Sequence, residues 1–345
     1  MHPGQAGGPL GPFETIAASV TKIDGYQVPD AGLAQCEVMR SVTALYPASR
    51  DLLGLKVLSC GPDEACDLIE SRILLRVPTR VAFVNANLAL FALERPNVRK
   101  TLGKFLLLND GVGVDIANRV LNGSGFPANL NGTDFIPRLL NRVRMPLRIF
   151  LLGATQATVE TAARVIASHC PQHAIVGRES GYLDPDQEDA VAKTIAGSRA
   201  HLVLVAMGNP KQEDWIARHI PHCAPCAIGV GALFDFLAGN VPRAPRLIRT
   251  LRLEWLYRLS REPRRLWRRY LIGNAKFLAY VFSERFERSA WQFRTSLAGL
   301  LGRTTNALAA GLATTARRPV GQHARARSAR TRSPATGLRR TDAGR

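Results

Sequence analysis

Asn109-Asp110-Gly111-Val112-Gly113 sets a carboxylate beside two glycines, between an apolar run and a stretch of helical length. Glycine lets the backbone turn tightly and approach a ligand, and the start of the following helix favours a phosphate or another anion. A carboxylate at that point is placed to act as a general base toward a bound hydroxyl. An Asp-Gly pair also reads as an ordinary helix cap, so both roles stand at this stage. The run is not G-x-G-x-x-G, and no acidic residue stands as a ribose partner about 20 residues on, which disfavours a dinucleotide dehydrogenase.

Three further clusters could hold a ligand. Asn129-Leu-Asn-Gly132-Thr133-Asp134 is a turn feeding a helix, where Thr133 or Asp134 serves equally as N-cap or ligand. In Gly208-Asn-Pro-Lys211-Gln212-Glu213, proline at a helix start is routine, yet Lys211 and Gln212 fall where phosphate or sugar hydroxyls can be held. Gly229-Val-Gly231 through Asp235 reads mainly as close strand–helix packing. His219, His222, Cys223 and Cys226 fall within eight residues but match no standard zinc spacing. Asp184-Pro-Asp186 opens a helix instead of standing at a strand end, so neither a metal nor another cofactor is expected.

The fourth feature is aromatic and basic. Ile248, Leu251, Trp255 and Leu259 recur at helical spacing, and Leu266, Trp267, Tyr270 and Leu271 do so after Pro263 restarts the helix. Arg258, Arg261, Arg265, Arg268 and Arg269 share the polar side. Tryptophan and tyrosine flanking such arginines suit an anionic membrane surface. A solvated basic helix packed on the body is the plainer reading, and a nucleic-acid patch lacks any recognisable reader motif.

These groups need a frame to position them. The runs Leu55–Ser59, Arg80–Asn85, Phe105–Asn109, Leu147–Gly153, Ile175–Gly177, His201–Gly208 and Cys226–Gly231 are continuously apolar, as strands covered on both faces are. Stretches of helical length separate them: Ala86–Lys104, Val112–Leu121, Asp134–Val143, Thr155–His169, Pro185–Gly197 and Lys211–Ile220. This alternation predicts an α/β fold, a doubly wound, mostly parallel Rossmann-like sheet with ligands at the carboxyl ends of its strands. A helical, basic C-terminal appendage follows the sheet.

The 345 residues carry 46 Lys and Arg against 27 Asp and Glu, net +19. Residues 1–240 hold 22 basic and 22 acidic side chains, whereas residues 241–345 hold 24 and 5, so the excess lies in the C-terminal third. One end therefore meets a polyanionic surface, and a protein that coats nucleic acid all over is disfavoured. Residues 1–45 read as a poorly ordered lead-in, 46–240 as the α/β core, 241–290 as the appendage and 291–345 as a basic, disordered tail. Because the strand–helix pattern ends near Gly239, a cut before Ile248 is expected to leave the core folded. The opening lacks the regions of a secretory leader, six cysteines show no disulfide framework, and no run reaches the roughly 18 apolar residues of a membrane span. A reduced, cytoplasmic protein, peripheral at the inner face of the cell membrane, is expected.

The ordered set Asn85-Ala-Asn87, Asp110-Gly-Val-Gly113, Gly132-Thr-Asp134, Gly181-Tyr-Leu-Asp184, Gly208-Asn-Pro-Lys-Gln-Glu213, Gly229 to Gly239, Arg243-Ala-Pro245, Leu253-Glu-Trp-Leu-Tyr-Arg258, Glu262-Pro-Arg-Arg265 and Arg269-Tyr270 resembles the WecG/TagA/CpsF glycosyltransferases over about residues 55–280. The resemblance implies metal-independent, inverting transfer of a sugar from a UDP-sugar to a saccharide on an undecaprenyl-pyrophosphate-type lipid, in bacterial cell-surface polysaccharide assembly. It implies that Asp110 deprotonates the acceptor hydroxyl, that Asn87 with Gln212 holds sugar or acceptor, and that Asn85, Gly111, Gly132, Thr133, Asp134 and Lys211 line the substrate site. It further implies that Arg258, Arg265 and Arg268 close over the site and neutralise pyrophosphate, which bidentate guanidinium suits. Asn85 stands where threonine is usual, and Asn129 where a basic residue often precedes the Gly132 motif. The rival reading is a nucleotide- or RNA-binding regulatory protein that uses the basic C-terminal region. The donor sugar, the linkage and any homo-oligomer are left open.

Overall fold

The computed structural model describes residues 48–245, 248 and 253–315. An antiparallel pair, β1 (Ser49–Leu52) and β2 (Leu55–Leu58), comes first among the described residues. Next come α1 (Pro62–Leu74), β3 (Thr79–Val84), α2 (Ala86–Glu94), α3 (Pro96–Leu102), β4 (Leu106–Asn109), α4 (Val112–Asn122) and α5 (Gly132–Arg142). The second half runs β5 (Arg148–Gly153), α6 (Gln156–His169), β6 (Ala174–Glu179), α7 (Glu188–Gly197), β7 (Leu202–Ala206), α8 (Lys211–Cys223), β8 (Cys226–Gly229) and α9 (Leu233–Leu237). Beyond lie α10 (Glu254–Arg261), α11 (Pro263–Trp267), a π-helical turn at Arg268–Gly273 and α12 (Asn274–Thr315).

The eight strands stand in the order β1-β2-β4-β3-β8-β7-β5-β6, and every pair but β1–β2 is parallel. Alternate residues of each strand enter opposite layers, which is why the runs read as continuously apolar. Ile149 and Leu151 of β5 join the layer with α1, α5 and α6, while Phe150 and Leu152 join the layer with α2, α4 and α8. The halves β1-β2-β4-β3 and β8-β7-β5-β6 meet between β3 and β8, the kind of switch point where such sheets take ligands.

Two local features differ from the sequence reading. The helix expected over 86–104 breaks at Arg95, whose extended backbone (φ −130°, ψ 102°) follows from the ring of Pro96, which disfavours helical geometry in the residue before it. The helix expected from Pro185 begins at Glu188.

The C-terminal region belongs to the core more deeply than its charge suggests. Phe277 (1% exposed) and Val281 (0%) of α12 pack in the layer that holds Val84, Leu88 and Trp215. Lys276 also pairs with Glu94 of α2. A cut before Ile248 would therefore uncover core surface, which corrects the expectation that the body stays folded without this segment. Phe277→Ala should cost about 3–5 kcal/mol of stability, read from denaturant melts. Helix α12 continues to Thr315, where a disordered stretch from residue 291 is expected; its alanines and leucines are strong helix formers. Contacts divide the chain into residues 1–287 and a separate unit from Arg288. The lead-in, Leu251 and the tail beyond 315 lie outside the described residues.

Candidate active site

Strand register creates the site. Val84 at the end of β3 pairs with Asn109 at the end of β4, so Asn85 and Asp110 leave the sheet side by side. The Asp110 amide donates to the Val84 carbonyl at 2.8 Å. Buried Asn109 anchors the next crossing by donating from Nδ2 to the Ala128 carbonyl at 2.7 Å. Gly111 then turns with φ +88°, a conformation glycine adopts without penalty, and its N–H donates to Asn129 Oδ1 at 2.8 Å. Asn129 thus fastens the Asp110 loop to the segment before α5.

Of the two roles open to Asp110, the helix-cap role is excluded, because α4 takes Gly111 as its N-cap and receives no side-chain cap bond. Asn85 is the cap of α2, its Oδ1 accepting from the Leu88 amide at 3.0 Å. The Asn85 side chain also hydrogen-bonds the Asp110 carboxylate. Burial raises the Asp110 pKa above the ordinary carboxylate value and nearby Glu254 adds to the rise, while Arg258, the Asn85 hydrogen bond and Arg269 oppose it. The result is a carboxylate kept basic yet faced by two guanidiniums.

The other expected residues divide between this place and its surroundings. Asn87 is half-buried in the first turn of α2. Gly132 packs on Phe83, where a Cβ would come within 3.0 Å of the ring. The cap of α5 is Asn131, which accepts from the Asp134 amide at 3.0 Å, so neither Thr133 nor Asp134 caps this helix. The Asp134 carboxylate pairs with Arg243 and accepts from Asn131 Nδ2, and Thr133 lies half-buried next to it. Lys211 Nζ donates to the Gly181 carbonyl at 3.3 Å, holding the loop after β6. Gln212 is buried, with its amide engaged by Gly231 and Glu213.

The appendage contributes unequally. Arg258 lies 4.6 Å over the Phe236 ring and pairs with Glu254 at 3.3 Å, and its buried Nε has no hydrogen-bond partner among the described residues. Arg269, half-buried over Tyr270, likewise leaves a buried Nε without a hydrogen-bond partner among the described residues. Arg265 is exposed and pairs with Glu262, and exposed Arg268 lies over Trp267. The two arginines that act on Asp110 are therefore Arg258 and Arg269. Sequence reading placed Arg269 on the polar side but did not assign it to the site. Glu213 belongs to the Gly208–Glu213 cluster, in which the sequence reading gives a role to Lys211 and Gln212 alone.

Two features lie elsewhere. An apolar cavity of about 190 Å³ between α5, α6 and α9 is lined by residues such as Ile136, Leu140, Ile166 and Leu237, away from Asp110. His219 is engaged with Glu188 at 3.3 Å, and no group of three His, Cys, Asp or Glu able to hold a metal occurs among the described residues.

A mostly parallel sheet thus sets a carboxylate of raised pKa at a strand end, under the charge of two arginines from the appendage. Residues 50–290 match the glycosyl transferase WecG/TagA/CpsF family, and the chain belongs to this family of glycosyltransferases. Among similar proteins, one from Bacillus subtilis (strain 168) is 35% identical over 208 residues, 59% of this chain and 79% of that protein. Another, from Bacillus spizizenii, is 32% identical over 195 residues, 55% of this chain and 74% of that protein. Both are named N-acetylglucosaminyldiphosphoundecaprenol N-acetyl-beta-D-mannosaminyltransferase.

Proposed function

We propose that this glycosyltransferase moves an N-acetylhexosaminyl group, N-acetylmannosaminyl by analogy with its relatives, from a UDP-sugar to a saccharide on a polyprenyl diphosphate, in cell-surface polysaccharide assembly. The observation that carries the reading is the placement of Asp110 at the carboxyl ends of β3 and β4, where its amide donates to Val84 and the charges of Arg258 and Arg269 lower its pKa. In the reaction, the acceptor hydroxyl oxygen forms a bond to the anomeric carbon and gives its proton to Asp110. The bond from that carbon to the donor phosphate oxygen breaks with its electron pair on UDP, and guanidinium charge stabilises the diphosphate as it leaves. Attack from the face opposite UDP inverts the anomeric centre.

The appendage suits a lipid-linked acceptor. Leu253, Leu256, Trp267, Leu271 and Ile272 are exposed near Arg264, Arg265 and Arg268, the pattern of an interfacial surface on the cytoplasmic leaflet. No helix among the described residues is long and apolar enough to cross a membrane. A panel of UDP-sugars, with and without a GlcNAc-diphospholipid, tests the reading, together with flotation on anionic vesicles. Acceptor-dependent UDP release and flotation support it; salt-sensitive RNA binding without transfer supports the regulatory alternative.

Asn85 offers a finer check. Asn85→Ala removes the α2 cap, costing about 1 kcal/mol. It also removes a bond that favours the ionised form of Asp110, so the acid limb of the pH–rate profile should move to higher pH. An unmoved limb would place Asn85 outside the base's environment.

A further inference from the structure

Glu213, in the first turn of α8, is fully buried. Its Oε1 accepts from Gln212 Nε2 at 2.7 Å and from Asn209 Nδ2 at 3.2 Å, while its buried Oε2 has no hydrogen-bond partner among the described residues. No cation pairs with it among the described residues. Burial, opposed chiefly by the Gln212 hydrogen bond, pushes its carboxyl up to about 7, so the group holds its proton toward neutrality. A buried carboxylate without a counter-ion would be costly, and the mechanism above gives this one no task.

The geometry around it does. Gln212 Oε1 accepts from the Gly231 amide at 3.1 Å, and Gly229 packs so closely on Gln212 that a Cβ would stand 2.8 Å from Nε2. The chain Asn209–Glu213–Gln212–Gly231 therefore ties the loop after β7 to the loop after β8. Gly208 and Gly231 have open space where side chains would stand, so a ligand can approach the backbone of both loops. Ala82 pairs with Gly229, and Val84 with Asn109, so the loops after β8 and β4 leave the same end of the sheet on either side of β3. Two strand spacings, about 10 Å, separate β8 from β4 across the switch point, a span that a sugar diphosphate can bridge.

We propose that Glu213 is a positioning residue for the donor diphosphate: its buried carboxyl orients Gln212, and Gln212 holds the Gly229–Gly231 loop at the end of the sheet that carries Asp110. The role rests on the transferase reading above. A neutral carboxyl suits it better than a charged one, since a second anion beneath the loop would repel phosphate.

The test compares full-length wild type, Glu213→Gln and Glu213→Leu by calorimetric UDP binding, by the split between kcat and donor KM, and by hydrogen exchange at the Gly231 amide. Glu213→Gln keeps an acceptor oxygen and should match wild type within about threefold. Glu213→Leu should lose about tenfold in UDP affinity and donor KM, with kcat changed less, and should expose the Gly231 amide to faster exchange. If the leucine variant does not fold, Gln212→Leu breaks the same chain one step on and should show the same loss of Gly231 protection. Native UDP affinity and native Gly231 protection in a folded leucine variant would overturn the proposal, as would a folded glutamine variant as impaired as the leucine one. Wild type that binds no UDP would overturn the donor reading, while Gly231 exchange would still decide whether Glu213 positions the loop.

Discussion

Asp110→Asn should lower kcat by about 10²–10⁴ without lowering the melting temperature. The amide matches the carboxylate in shape but cannot take the acceptor's proton, so the loss falls on turnover. The stability sign follows from the raised pKa of Asp110. A carboxyl whose folded pKa lies above its unfolded value favours folding less once the pH passes the unfolded value, because the unfolded chain ionises more readily. A neutral amide removes that cost at neutral pH, offset in part by lost attraction to Arg258 and Arg269. The wild-type rate should accordingly climb with pH through an acid limb above the usual carboxylate range, a limb the asparagine variant lacks. Near-normal turnover in Asp110→Asn would remove Asp110 as the base.

Arg258→Ala should reduce kcat/KM by about 10²–10³, the scale for losing one preorganised group that stabilises developing charge. This guanidinium is held between Phe236 and Glu254, so it is oriented before substrate arrives. Its charge also lowers the pKa of Asp110, and its removal should push the acid limb upward, a signature that general misfolding would not produce. Lysine should not restore activity, since a point charge replaces a planar fork. Arg269→Ala should resemble Arg258→Ala more closely than Arg268→Ala does. Unchanged kcat/KM and an unmoved limb in Arg258→Ala would detach the appendage from the chemistry.

What was legible in the chain follows from which signals are local. Strands β3, β5, β7 and β8 were readable because both faces of the sheet are covered, leaving unbroken apolar runs. Strand β1 is four residues long, at the sheet edge and half exposed, so Ser49–Leu52 carries no such run. Helix α1 buries Ala65, Cys66, Leu68, Ile69 and Ile73 among acidic residues, a face too mixed to stand out. Asp110 was legible because glycine follows it at a strand end, where local geometry and chemistry coincide. Arg269 shares the polar side with Arg265 and Arg268 in the sequence, and what separates them is burial in the folded chain, where Arg269 is half-buried and the other two are exposed. The burial of Glu213 comes with the packing of α8 against the sheet, and its link to the loop after β8 runs through Gln212 and Gly231, which its own segment does not reveal.

The central assignment is tested most directly by the anomeric configuration of the product. Full-length protein would be given UDP-N-acetylmannosamine and a short-chain GlcNAc-diphospholipid, and the disaccharide lipid analysed by NMR. Wild type should form a β-linked disaccharide with one UDP released per linkage, and Asp110→Asn should form it at a rate lower by about 10²–10⁴. An α-linked product, or equal rates from the two proteins, would contradict direct displacement with Asp110 as the base.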